Sequence, residues 1–178
     1  MAITRLGPNS VNLTSAVTGT LPTANGGTGA TSFSPGKVLQ VVTTTKTDTT
    51  STSSSSYVDI SGMTLSITPA SSSNKIFIMF DIGLSSSSTG RSDKIRLLRD
   101  STAIVDPANL FRLGSVNSVM YNASTNFLDS PNTTSATTYK LQWLSEGGAF
   151  TCYLNRRGNN STVFTTSTLT AMEISAWF

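Results

Sequence analysis

Nine carboxylates, Asp48, Asp59, Asp81, Asp93, Asp100, Asp106, Asp129, Glu146 and Glu173, form the chain's stock of acids and bases. Glycoside hydrolysis needs two of them facing each other across a bond at roughly 5–10 Å, and no spacing singles out such a pair. Asp100, in Arg99-Asp100-Ser101-Thr102, reads as a turn residue whose side chain caps backbone amides. Cys152 is the one cysteine and histidine is absent, which removes His-based triads, His or paired-Cys metal sites and any intrachain disulfide. Alternating with Phe150 and Leu154, Cys152 reads as a buried thiol with no histidine to activate it. No Gly-x-Ser-x-Gly elbow occurs among the many serines. Gly26-Gly27-Thr28-Gly29 lacks the Lys-Ser/Thr ending of a P-loop, a preceding apolar strand and a following helix. No residue is nominated for catalysis, for a metal or for a cofactor, and the chain is read as a non-enzyme.

Two sets of residues remain as binding candidates. Arg156, Arg157, Asn159 and Asn160 place adjacent guanidiniums and amides in one loop, a pattern able to grip acidic or hydroxylated sugars; a solvated hairpin loop is the favoured reading. Tyr121, Tyr139, Trp143 and Tyr153 could stack on a sugar ring, although aromatics on strands usually belong to the core.

These residues sit in a chain of 178 residues, 37% hydrophobic and 12% charged, with Ser and Thr filling roughly a third of all positions. That bias favours strands and turns over helices held by ion pairs. The net charge of +3 comes from cations scattered along the chain, without the dense basic stripe of a nucleic-acid binder. No apolar run approaches the ~18 residues of a membrane span, and the opening residues lack the apolar stretch of a secretory signal. The expectation is a soluble protein that neither inserts in membranes nor passes through the Sec route.

Residues 1–35 carry only isolated apolar side chains among Gly, Pro and polar residues, and cannot bury themselves. They are expected to form an extended docking arm. Residues 36–178 read as a head of short strands: 37–44, 57–60, 63–68, 75–84, 94–99, 116–128, 138–144, 149–154 and 168–177. About nine strands suit a β-sandwich of the jelly-roll kind, so the fold class is all-β. The Ser/Thr-rich stretch 43–56 is expected to be a loop or β-arm.

In 75–84, Ile76, Ile78, Phe80, Ile82 and Leu84 share one face, while Phe77 and Met79 make part of the other face apolar too. A sandwich covers one face, so the second cover is a neighbouring subunit or a folded-over loop, with the subunit slightly ahead. Met172 and Ile174 alternate with Ala171 and Glu173 in the last strand, and Trp177-Phe178 is expected to pack rather than fray. Phe77, Met79, Trp177 and Phe178 are therefore the candidate interface residues.

The stretch Thr18-Gly19-Thr20-Leu21-Pro22-Thr23-Ala24-Asn25-Gly26-Gly27-Thr28-Gly29-Ala30-Thr31 resembles the GTLP-x-ANGGTGAT segment recurrent in tailed-bacteriophage fibre and related virion proteins. Downstream, 57–69, 71–76, Arg99-Asp100-Ser101-Thr102 and 169–174 are similar to C-terminal domains of phage structural proteins. The resemblance implies a homotrimer placed in the virion and made in the host bacterial cytoplasm. Leu21, Pro22, Asn25, Gly26, Gly27 and Gly29 would dock the arm onto other virion proteins. The head would be a jelly roll similar to tumour necrosis factor, presented to host-surface glycans. The leading role is a tail-fibre subunit for host attachment, and the alternative is a capsid decoration or cement protein (a head fibre) that stabilises the shell. Scarcely any shaft separates arm from head, unlike a long tail fibre.

Overall fold

In a computed structural model of the chain, the residues described are 37–88, 92–106, 111–112, 119–146 and 150–176. The expected docking residues Leu21, Pro22, Asn25, Gly26, Gly27 and Gly29, and the interface candidates Trp177 and Phe178, lie outside them.

Thirteen strands occur among the described residues: β1 (Val38–Lys46), β2 (Thr50–Thr52), β3 (Val58–Ile67), β4 (Lys75–Ser86), β5 (Ser92–Arg99), β6 (Thr102–Val105), β7 (Phe111–Arg112), β8 (Tyr121–Asp129), β9 (Thr137–Ser145), β10 (Cys152–Leu154), β11 (Arg156–Arg157), β12 (Asn160–Phe164) and β13 (Ser167–Ile174). One sheet runs β1-β13-β4-β8, with β10 pairing the end of β4 on the side opposite β8 and β2 beyond it. The second runs β3-β9-β5-β6, with β7 also on β5, and β11–β12 form a separate hairpin. The long strands pass between sheets in the order β1, β3, β4, β5, then β6, β8, β9, β13, which is the winding of an eight-stranded jelly roll. The all-β sandwich expected from the composition is the observed architecture.

Alternation places the core. Ile76, Ile78, Phe80, Ile82 and Leu84 of β4, Leu169 and Ala171 of β13, and Ala123 of β8 meet Ile60, Met63, Leu65 and Ile67 of β3, Ile95 and Leu97 of β5, and Tyr139, Leu141 and Trp143 of β9. On β4 this is the face the period-two pattern assigns to the interior. Tyr139 and Trp143 are thus core residues.

Residues 57–60 and 63–68, expected as two strands, form the single strand β3. Its pairing with β9 shifts between Asp59 and Thr64, and Gly62 there has φ +82°, a β-bulge that resets the phase so that Ile60 and Met63 both face inward. The 43–56 stretch is only partly a loop: β1 runs on to Lys46, and Thr50–Thr52 pairs with β10 as β2. In β13 the polar-looking face is the buried one, because Glu173 finds hydrogen-bond partners inside. Asp100, at φ 52°, reaches beyond its own turn: Oδ1 accepts from Thr138 N at 2.9 Å, and its own N–H donates to Thr138 O at 2.7 Å.

Candidate functional site

The outer faces of the two sheets differ in kind. On the second sheet, Asp59 accepts from Gln142 Nε2 (2.6 Å) and Lys140 Nζ (3.0 Å), and these two donors hold its carboxyl below the usual range. Gln142 Oε1 takes two bonds from Arg96, whose guanidinium lies 3.9 Å from the centre of the Tyr57 ring. This face is a solvated lattice of charges and amides, typical of a sheet that meets water.

The first sheet presents a different surface. Cross-strand register aligns Val41 of β1 with Met172 of β13, Met172 with Phe77 of β4, and Phe77 with Leu128 of β8. One apolar row therefore crosses all four strands. Val41 and Leu128 are each 55% exposed, and Val38 and Leu39, earlier on β1, are exposed as well. The next row is Thr43, Thr170, Met79 and Asn126, and the one after it ends in Asp81 and Ser124. Met79, Asp81, Ser124, Asn126, Thr168 and Thr170 line an open groove of about 350 Å³.

Beyond Asp81 the same face is closed by the chain itself. Gly83 lies under Thr165, so closely that a Cβ at Gly83 would meet the Thr165 methyl. Ser85 Oγ donates to Arg156 O at 2.5 Å. The residues around the β11–β12 hairpin thus cover the second half of β4 and leave Phe77 and Met79 half-buried in the open half. Of the two covers weighed for β4, the folded-over loop serves one end; among the described residues nothing lies on the other.

Asn155 makes that fold-over possible. It is buried at φ 61°, its amide donates to Lys46 O (2.7 Å) and Asp48 O (3.1 Å), and its Oδ1 accepts from Ser167 Oγ (2.5 Å). Asparagine tolerates this left-handed backbone better than most residues. Its backbone adds two more bonds, N–H to Gly83 O (2.8 Å) and C=O from Thr165 N (3.2 Å); a turn-former after a strand is the signal the sequence offers, but these five bonds are tertiary.

The four glycan candidates lie on that hairpin. Arg156 stacks over Tyr153, its guanidinium carbon 4.3 Å from the ring centre, and its Nε donates to Arg157 O at 3.3 Å. Arg157 is half-buried, and its Nε has no hydrogen-bond partner among the described residues. Asn160 Oδ1 accepts from Thr162 N and Oγ1, bonds that shape the turn, while Asn159 is exposed beside it. The structure brings all four together on one hairpin, the two asparagines exposed and the two arginines half-buried, with Arg156 and Asn160 engaged in holding it.

Three buried polar clusters were not anticipated. Asp129 of β8 accepts from Arg99 and Tyr139 of the second sheet. Glu173, fully buried, accepts from Gln40 Nε2, Asn74 Nδ2 and Ala70 N at 2.6–2.7 Å. Burial would raise its pKa, but these donors outweigh burial and lower it. Asp93 takes a bond from the Cys152 thiol. No group of three or more Cys, Asp or Glu able to hold a metal occurs among the described residues.

Fold and surface define a jelly-roll β-sandwich with one solvated and one partly apolar outer face. No family model matches the chain, and no curated protein matches it. Among solved structures it is similar to that of the infectious bursal disease virus Gx strain, at 16% identity and a TM-score of 0.43, over 77% of this chain and 37% of that one. It is also similar to the VP2 subviral particle of the same virus (13% identity, TM-score 0.44, 76% and 39% covered) and to the Gt strain structure (14%, 0.44, 99% and 43%). The chain spans about two fifths of the length of these chains.

Proposed function

We propose that the chain is a non-enzymatic structural subunit of a virion, which assembles with copies of itself through the open half of the first sheet's outer face. The observation that carries the reading is the row Val41–Met172–Phe77–Leu128, an apolar band crossing four strands on a molecule whose other sheet face is a lattice of polar groups. Contiguous apolar surface of this kind marks interaction sites on soluble proteins. A homotrimer is the assembly implied by the resemblance of the 18–31 segment to phage fibre and virion proteins.

In this reading, residues 1–35 dock the subunit onto other virion proteins and the head carries the hairpin of Arg156, Arg157, Asn159 and Asn160 outward. Weak contacts to host-surface glycans at each hairpin would add through multivalency. Of the two mountings, capsid decoration is favoured over a tail fibre, because the motif ending at Thr31 is followed almost at once by β1 at Val38, leaving no shaft to extend the head from the particle.

Two measurements test this. Light scattering on the purified chain is expected to give three times the monomer mass, and a monomer at about 10 µM would remove the interface. Antibody labelling of intact particles is expected to decorate capsid faces; label confined to tails would restore the fibre role, and unlabelled particles would end the virion reading.

A further inference from the structure

Four strand ends meet around Asp93. Within the register, Asp93 of β5 pairs with Ser145 at the end of β9, and Cys152 at the start of β10 pairs with Ser86 at the end of β4. Asp93 is fully buried between the two sheets. Its Oδ1 accepts the Cys152 S–H, a bond that crosses the sandwich, and its Oδ2 is buried with no hydrogen-bond partner among the described residues. Ser145 Oγ donates elsewhere, to Phe150 O at 3.0 Å.

No described cation offsets this carboxyl. From β9 it faces Ser145 and from β10 Cys152, neither charged at neutral pH; Ser86 of β4 lies opposite Cys152. Lys94, next along β5 and so on the other face, is paired with Glu146 at 3.2 Å. On the remaining side, β7 sets Phe111 opposite Asp93 and Arg112 opposite Ser92 in the backbone register.

We propose that Asp93 and Cys152 form a proton-controlled latch: the neutral carboxyl holds β5 and β10 together across the sandwich, and its ionisation lets that end open. An ionised carboxylate in this position would be a buried charge with one weak donor and one bare oxygen, a costly arrangement that a proton or an opening relieves.

Burial raises the Asp93 pKa to about 6, against the lowering effect of the thiol's bond. Burial and the facing carboxyl push the Cys152 thiol well up, so it remains a donor throughout. The folded value for Asp93 exceeds the ordinary 3.8, so the folded state holds the proton more tightly. The stability it contributes is complete below 3.8 and is lost as pH rises through about 6. Between about pH 5 and about pH 7.5 these values imply a roughly tenfold increase in the opening equilibrium.

Cys152, the chain's one cysteine, reports opening directly. With N-ethylmaleimide at about pH 7.5, wild type is expected to react on the order of a hundredfold faster than Asp93→Asn, which keeps the oxygen that accepts the thiol but cannot ionise. Removing the negative charge would by itself make the thiol more acidic and faster, so a slower variant speaks for reduced opening. Equal or faster labelling of the folded variant overturns the latch. Should the variant not fold, amide exchange in wild type, corrected for the intrinsic effect of pH, decides. Opening at Ser145 and Cys152 is expected to rise roughly tenfold over that pH range while Ile78 in the core is unchanged; a uniform response overturns the proposal.

Discussion

Tyr139 on β9 donates its hydroxyl to Asp129 Oδ2 on β8 at 2.7 Å, a buried hydrogen bond between the two sheets. Arg99 of β5 adds two bonds from Nη1 to the same carboxylate, at 2.9 and 3.0 Å. Burial and then the carboxylate push the Tyr139 hydroxyl's pKa up, so it remains a donor. Three strands from two sheets are pinned at one point.

Tyr139→Phe removes one donor and leaves the ion pair, and is expected to cost about 1–2 kcal/mol. Arg99→Met leaves a buried carboxylate without its cation and is expected to cost about 3 kcal/mol or more. Urea midpoints at constant m-value measure both; an Arg99→Met effect no larger than that of Tyr139→Phe would mean the charge is solvated and the cluster is not a pin.

Gly83→Ala sets a methyl against the Thr165 methyl, where the chain crosses β4. A loss of about 1–3 kcal/mol is expected. Thr165→Ser removes the opposing methyl, so the double variant should recover most of that loss in a thermodynamic cycle. Additive effects would place the strain elsewhere.

Glu173 titrates with the opposite sign to Asp93. Its folded pKa lies below the ordinary 4.5, so its contribution is present above 4.5 and lost as pH falls through the lower folded value. Glu173→Gln turns an amide toward three donors, and is expected to cost about 2 kcal/mol near neutrality and much less at about pH 3. A pH-independent difference in stability would show that the charge contributes nothing.

Val41→Asp with Leu128→Asp tests the open face. Both side chains are more than half exposed, so subunit stability should change by less than about 1 kcal/mol. Assembly should fall to monomer by light scattering. Retained mass with both aspartates present would move the interface away from this sheet.

The run of short strands, with period-two alternation plainest along β4, carried the class of fold, because a strand half in water writes its orientation into the residue types themselves. The same pattern exposed the second apolar face of β4 through Phe77 and Met79. What lies over that face was decided by tertiary structure: Asn155 turns the chain so that Thr165 covers Gly83, and nothing local to β4 announces a cover that comes from residues so far along the chain. The bulge at Gly62 was also hidden, since an interrupted alternation reads equally as a loop or as a phase shift.

The polar core was the least legible. Asp93, Asp129 and Glu173 look, along the chain, like solvent-facing charges, and a carboxylate's burial depends on donors that only the closed sandwich assembles: Cys152 for one, Arg99 and Tyr139 for another, Gln40 and Asn74 for the third. Composition and spacing thus settled that the chain is a β-sandwich without a histidine-based or cysteine-pair site. Long-range contact settled which charges are buried and which face stays bare, because desolvation is a property of the packed neighbourhood and not of the residue.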